Sequence, residues 1–215
     1  MNNLLSVIVS SAEVLLEEWS DSSTKAEVEL IKKAGIDAAQ VVRRLQQQRI
    51  SVPQSGKQLV DMNGVVLDAL QFVAPYQKEL VAVKGVPIEI ACELGEVTPV
   101  AGNDADLRTA LVNVLVNALD ALSREGGSIS VETKTEGKFV TIAVRDTGPG
   151  MSEEVKQDIF NPFFTTKGVG RSGIGLFIVH KIVRRSGGRT TVDSALGEGS
   201  TITIELPAYR RLEAS

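Results

Sequence analysis

Apolar residues near the N-terminus recur with a helical period. From Asn2 to Trp19 they are Leu4, Leu5, Ile8, Ala12, Leu15 and Trp19, all on one face of a helix. The polar stretch SDSSTK follows, a turn rich in N-cap residues. A second periodic run carries Ala26, Val28, Ile31, Ala34, Ala38, Val41 and Leu45. Two helices cannot enclose a core. The simplest partner for this hairpin is a second copy, giving a four-helix bundle in a dimer. Ser51 to Lys57 breaks the period with Pro53 and Gly56 and reads as a linker.

After the linker the period alternates between two and 3.6. A short strand is expected near Leu59 to Asp61, and Asn63 is expected to cap a helix carrying Val66, Leu67, Leu70, Val73 and Ala74. PIEIACEL is β-prone, and Asn103 caps a long helix from Asp104 to Arg124, stopped by Gly126 and Gly127. SISVETKTEGKFVTIAVRD reads as a hairpin turning at Glu136–Gly137. A long irregular stretch comes next, with one short helix from Glu153 to Ile159; loops of that length in compact domains are usually functional lids. A helix from Gly173 to Arg185 ends at Gly187, and strands RTTVDSA and STITIELP close the chain around LGEG. Strands and helices that do not strictly alternate predict an α+β layer, a mixed sheet with helices on one face.

Composition narrows the class. With 215 residues, 43% hydrophobic and 23% charged, the chain can bury a real core. The net charge of −4 comes without a basic stripe, which argues against nucleic acid. Cys92 is the single cysteine, so no internal disulfide forms and a reducing cytoplasm suits the chain. No apolar run is long enough to span a bilayer and no signal pattern opens the sequence, so no membrane contact by this chain is expected.

The candidate chemistry starts at KGVGRSGIGL, where Gly168, Gly170 and Gly173 have a G-x-G-x-x-G spacing and Asp193 lies about twenty residues on, as in a dinucleotide site. The context opposes that reading. A strand should precede the glycines, yet IFNPFFTTK carries a proline and a polar run, and too little chain follows Asp193 for further crossovers. No Walker-type P-loop is present. Glycines opening a helix still suit an anion, because the first N–H groups lack partners. Asn113 and Asn117 lie one turn apart with Asp120 on the same stripe, opposite Leu111, Val112, Leu115 and Leu119. Amide carbonyls of this kind suit a Mg²⁺ that takes its other ligands from phosphate and water, although a solvated polar face would look the same. In DTGPGM, Asp146 ends a strand, where a carboxylate can accept from an exocyclic amine while Gly148 and Gly150 let a flat base approach. In NPFFTTK, Phe163 and Phe164 can anchor a mobile segment and Lys167 offers positive charge to phosphate.

Taken in order, LVNVLVNALDAL, RDTGPGM, FNPFFTTK and SGIGLFIV resemble the asparagine, first glycine, phenylalanine and second glycine boxes of two-component sensor histidine kinases. The closing GEGSTITIELP is similar to the family's last hairpin, and the front hairpin resembles its dimerisation and phosphoacceptor helices. The resemblance implies a Bergerat-type (GHKL) ATP-binding α/β sandwich. It implies a dimerisation hairpin at residues 1–50, a linker at 51–57, an ATP-binding catalytic domain at 58–208 and a tail at 209–215. It implies ATP and Mg²⁺, with Asn117 as the metal ligand, Asn113 nearby in the phosphate or metal shell, and Asp146 on the adenine amine. Gly148 and Gly150 would lie beside the base. Gly173, Ile174, Gly175 and Leu176 would present backbone to the phosphates. Phe160 to Gly173 would form the ATP lid, bringing Phe164, Thr166, Lys167 and Arg171 to the nucleotide. The implied partners are a second copy and a response-regulator receiver domain.

The chain departs from the family pattern in three places. Asp120 stands where many relatives carry a basic residue, and Arg171 replaces an expected lid glycine. NNLLSVI resembles helices whose phosphoaccepting histidine would fall two residues ahead of Met1, so that histidine is not in this chain. Asn3 then matches the place where relatives hold a water for regulator dephosphorylation. His180, the one histidine, reads as structural. Two functional classes follow. One is a kinase core whose acceptor is missing and which cannot phosphorylate itself. The other is a nucleotide-sensing dimeric interaction module without kinase activity.

Overall fold

The computed structural model describes residues 58–166 and 173–209, together with Val28, which is helical and buried. The N-terminal hairpin and its pairing, the linker, Asn3, Lys167 and Arg171 lie outside the described residues. The described chain falls into two units. The larger comprises residues 58–161 and 175–209, and residues 162–166 and 173–174 belong to the other.

In the larger unit the elements run β1 (Gln58–Val60), α1 (Met62–Lys84), β2 (Ile88–Leu94), β3 (Val100–Gly102), α2 (Asp104–Leu122), β4 (Gly127–Glu136), β5 (Phe139–Asp146), α3 (Glu153–Asp158), α4 (Gly175–Arg185), β6 (Arg189–Ala195) and β7 (Gly199–Pro207). Five strands form one sheet in the order β2-β4-β5-β7-β6. Only the β2–β4 pair is parallel, so the sheet is mixed as expected. β1 and β3 form a separate antiparallel pair.

Alternation along the strands sends one face inward. Ile129, Val131, Ile142, Val144, Ile202 and Ile204 are buried, while Ser130, Glu132 and Lys134 on the opposite face of β4 are exposed. Three helices cover the inner face. α2 packs against α1 on one side and α4 on the other and lies over β4 and β5. Its buried stripe is Leu107, Ala110, Leu111, Val114, Leu115, Ala118, Leu119 and Leu122. Val112 is only half-buried and belongs to the other side of the helix. Leu111, Leu115 and Leu119 are each at most 2% exposed. Burying such a side chain contributes about 1.5–3 kcal/mol, which is what fixes this helix and its polar stripe in place.

Two further expectations are corrected. Asp61, not Asn63, caps α1: its carboxylate accepts from the N–H of Asn63 at 3.0 Å and of Gly64 at 3.3 Å. Asn63 instead makes tertiary bonds, donating to the Gly95 carbonyl at 2.9 Å and accepting from the Thr133 hydroxyl at 2.7 Å. α1 continues through Pro75 to the left-handed Gly85 (φ 66°). α4 begins at Gly175 rather than Gly173, because Gly173 has φ 61°, a conformation no helix interior adopts. No helix among the described residues is long and apolar enough to cross a membrane.

Candidate functional site

The half-buried side of α2 carries Asn113, Asn117 and Asp120, as their spacing requires. The helix is set by its own cap: the Asn103 side chain accepts from the Asp106 N–H at 3.0 Å. Asn113 donates to the Thr109 carbonyl one turn back at 2.8 Å, which fixes its rotamer. Its Oδ1 stands 3.1 Å from the place a Cβ on Gly175 would occupy. The first residue of α4 therefore approaches Asn113 closely because it has no side chain. Two turns on, Asp120 accepts from the Tyr76 hydroxyl at 2.7 Å, a bond from α1 across to α2.

The other end of the stripe meets the end of β5. Asp146 is 4% exposed and accepts from the Gly148 N–H at 2.9 Å. A Cβ on Gly148 would fall 2.8 Å from that same carboxylate oxygen and 2.9 Å from the Ala121 methyl. α2 and the DTGPGM loop are thus in backbone-to-side-chain contact. Gly150 has φ 68°, and any Cβ there would overlap the Ala195 carbonyl. The loop is pinned to the β6–β7 turn by Gly197 N–H to the Pro149 carbonyl at 2.8 Å and Met151 N–H to the Ser194 hydroxyl at 2.9 Å. A buried carboxylate and a loop fixed at both ends make a preorganised hydrogen-bond acceptor at the end of β5.

α4 runs eleven residues from Gly175, with no acid in its first turn and Arg184 and Arg185 in its last. The first N–H groups of any helix have no partner within it, and this end carries the positive end of the helix dipole. Leu176, in that first turn, is half-buried. Ile174, just ahead of it, is buried. His180, further along, lies 2.9 Å from the Thr190 hydroxyl and stacks obliquely on Phe160, with centroids 5.5 Å apart. Burial first, then the charges of Arg184 and Lys181, hold its pKa below the usual histidine value. It packs between Thr190 and Phe160.

In the second unit, Phe163 adopts φ 68°, rare for a side chain other than glycine, and is 74% exposed. The aromatic anchor expected there is therefore not made by Phe163. Phe164 is half-buried and Thr166 is exposed. A Cβ on Gly173 would overlap the Phe164 carbonyl, so this glycine closes the segment back on itself.

Of the residues expected at the site, Asn113, Asn117, Asp120, Asp146, Gly148, Gly150, Gly175 and Leu176 share the larger unit. Tyr76 and Ala121 are additions. Tyr76 sits in no recognisable motif, and Ala121, although inside LVNVLVNALDAL, carries no functional group to mark it; only the packing of α1 and the loop against α2 brings them in. Among the described residues no group of three or more His, Cys, Asp or Glu could hold a metal. The donors are amide carbonyls, which fit Mg²⁺ completed by phosphate and water rather than a protein cage.

Residues 102–210 match the family described as histidine kinase-, DNA gyrase B-, and HSP90-like ATPase. The chain belongs to this family. Within it, the likeness is to the catalytic domain of sensor histidine kinases. The sensor kinase CckA of Brucella abortus (strain 2308) is 33% identical over 224 residues, covering 96% of this chain and 23% of CckA. The sensor histidine kinase ZraS of Escherichia coli (strain K12) is 36% identical over 151 residues, covering 70% of this chain and 31% of ZraS. The structure of the mycobacterial sensor histidine kinase MprB superposes with a TM-score of 0.60 at 29% identity, covering 72% of this chain and 99% of that one. The chain thus spans about a quarter to a third of these two curated relatives. It carries the histidine-kinase-type ATPase domain of two-component sensor kinases.

Proposed function

We propose that this chain binds Mg²⁺-ATP along α2 and serves as the catalytic and dimerisation core of a two-component sensor histidine kinase. The observation that carries the proposal is the placement of Asn113 beside the start of α4 and of Ala121 beside Gly148 and Asp146. One helix thereby joins an anion-binding helix end to a buried acceptor for a base. The glycine contacts support the fit. A Cβ at Gly148 would press on Asp146 and Ala121, and one at Gly175 on Asn113, so glycine at both positions lets the loop and the start of α4 pack directly on α2.

In this reading Asp146 accepts from the adenine amine, and Gly148 and Gly150 leave room for the ring. The α4 N–H groups hold phosphate oxygens, joined by Asn113. Asn117 would hold Mg²⁺, which supplies neutralisation of phosphate charge when bound. By the family resemblance, residues 160–173 would supply the ATP lid, with Phe164, Thr166, Lys167, Arg171, Gly173 and Ile174 as its candidate nucleotide contacts. Closing that cover excludes water, and the chain's work is positioning and charge complementarity for in-line transfer. The phosphoryl group goes first to a histidine and then to an aspartate of a response regulator. His180 is packed against Phe160 and Thr190, so it is not that histidine. The domains divide at 1–50, 51–57 and 58–208, the first pairing two copies, and Asn3 sits where a water for regulator dephosphorylation would be held. The setting is the cytoplasm.

Titration calorimetry with a non-hydrolysable ATP analogue tests the site. Binding is expected to require Mg²⁺ and to weaken at least about tenfold in Asn117→Ala and in Asp146→Ala, each losing a hydrogen bond or ligand to a charged or buried partner. Analogue binding unchanged in both variants rejects the site.

A further inference from the structure

The nucleotide reading leaves the Tyr76–Asp120 bond unexplained. It joins two helices at the rim of the site, and it fixes a carboxylate on the stripe that should otherwise face phosphates. An anion there would repel the phosphates, so the partner that suits it is an uncharged hydrogen-bond donor and not a phosphate oxygen.

The order of contacts along α2 supplies one. Asn113 abuts the first residue of α4, Asn117 follows one turn later, and Ala121 abuts Gly148 beside Asp146. From Asn113 to Ala121 the helix rises about 12 Å. Phosphates lie at the first end and the base at the last, which leaves the sugar opposite the interval between Asn117 and Ala121. Asp120 is in that interval. Ribose presents two vicinal hydroxyls there, both donors, and a carboxylate is the group that reads such hydroxyls in other nucleotide folds. A carboxylate accepts at about four lone-pair positions, so the Tyr76 hydroxyl at 2.7 Å orients Asp120 without exhausting it.

We infer that Asp120, oriented by Tyr76, binds the ribose hydroxyls and makes this site selective for ribonucleotides. The inference rests on the nucleotide reading proposed above. Asp120 is the contacting residue, and Tyr76 is a positioning residue that acts through it.

Calorimetric titration of the full chain with Mg²⁺ and either ATP, 2′-deoxy-ATP or 3′-deoxy-ATP tests it, with the parent, Asp120→Ala and Tyr76→Phe compared. The parent is expected to bind at least one deoxy analogue roughly tenfold more weakly than ATP, the worth of one hydrogen bond to a charged group. That ratio should fall to within about twofold in Asp120→Ala and to an intermediate value in Tyr76→Phe. The ratio separates the proposed role from a merely structural one, because a loosened fold weakens all three nucleotides together. Nucleotide-free melting curves establish that both variants are folded. Equal binding of the three nucleotides by the parent overturns the inference, as does a ratio that survives Asp120→Ala or a loss common to all three nucleotides. In each of those cases ATP still binds and the nucleotide site stands. Failure of the parent to bind ATP at all overturns the nucleotide reading and this inference with it.

Discussion

At the residue scale, two glycines two residues apart can be told apart by what a methyl would meet. At Gly148 an added Cβ presses on the Asp146 carboxylate and the Ala121 methyl, both side-chain atoms, and the backbone is not left-handed. At Gly150 it strikes the Ala195 carbonyl, a backbone atom in a β strand, and φ is 68°. Gly148→Ala is therefore expected to destabilise by about 1–3 kcal/mol, the range for overpacking, while displacing the acceptor for the base. Gly150→Ala adds left-handed strain to a clash that cannot relax, and should cost more. Urea unfolding of both variants checks the order. A smaller loss at Gly150 than at Gly148 would mean the loop is not pinned as described. The motif in the sequence pointed to both glycines equally. Their different reasons needed Ala121 and Ala195, which lie far from them along the chain.

At the element scale the site depends on where α2 starts. Asn103 accepts from the Asp106 N–H, and Asp104 and Asp106 in the first turn complement the helix dipole. Asn103→Ala is expected to cost about 1 kcal/mol of stability, read as a lower denaturant midpoint with an unchanged slope. This cap was legible because asparagine stood directly before an apolar-periodic run. The strands were legible because a sheet covered on one face alternates strictly, as Ile129, Val131 and Thr133 do on β4. Other features were not legible, for reasons of the same kind. Asn63 looked like a cap because its type allows it, yet Asp61 took the position and Asn63 went to Gly95 and Thr133, partners that only folding supplies. β3 is three residues long, too short for a period to appear. Pro75 reads as a helix stop, but α1 passes through it at an exposed position, where packing of the other face outweighs one missing bond. In the site, residues on one helix face were found from spacing. Tyr76 was not, because no spacing on α1 points to Asp120.

At the scale of the whole molecule, chain order and spatial order conflict. β7 is the last strand made, yet it lies inside the sheet between β5 and β6. All of its paired residues from Gly199 to Pro207 bond to neighbours whose own strands were made earlier. Ile202, Ile204 and Leu206 on it are each at most 3% exposed, so its inner face is part of the core beneath the helices. The smaller pair is tied in at the same point: Val100 bridges Ala208, and the Tyr209 N–H donates to the Pro99 carbonyl at 2.8 Å. Without β7, β6 has no partner in the sheet and β5 becomes an edge with its inner side chains uncovered. The unit should then be unable to fold in stages, since removing a central strand removes both ladders together. A chain ending at Glu198 is expected to show no cooperative thermal transition and no nucleotide binding. A chain ending at Tyr209 keeps every contact just named and should melt as the full chain does. Calorimetric scans of the two shortened chains decide the matter, and a sharp transition in the one ending at Glu198 would show that β2 to β5 fold without the strand that closes the sheet.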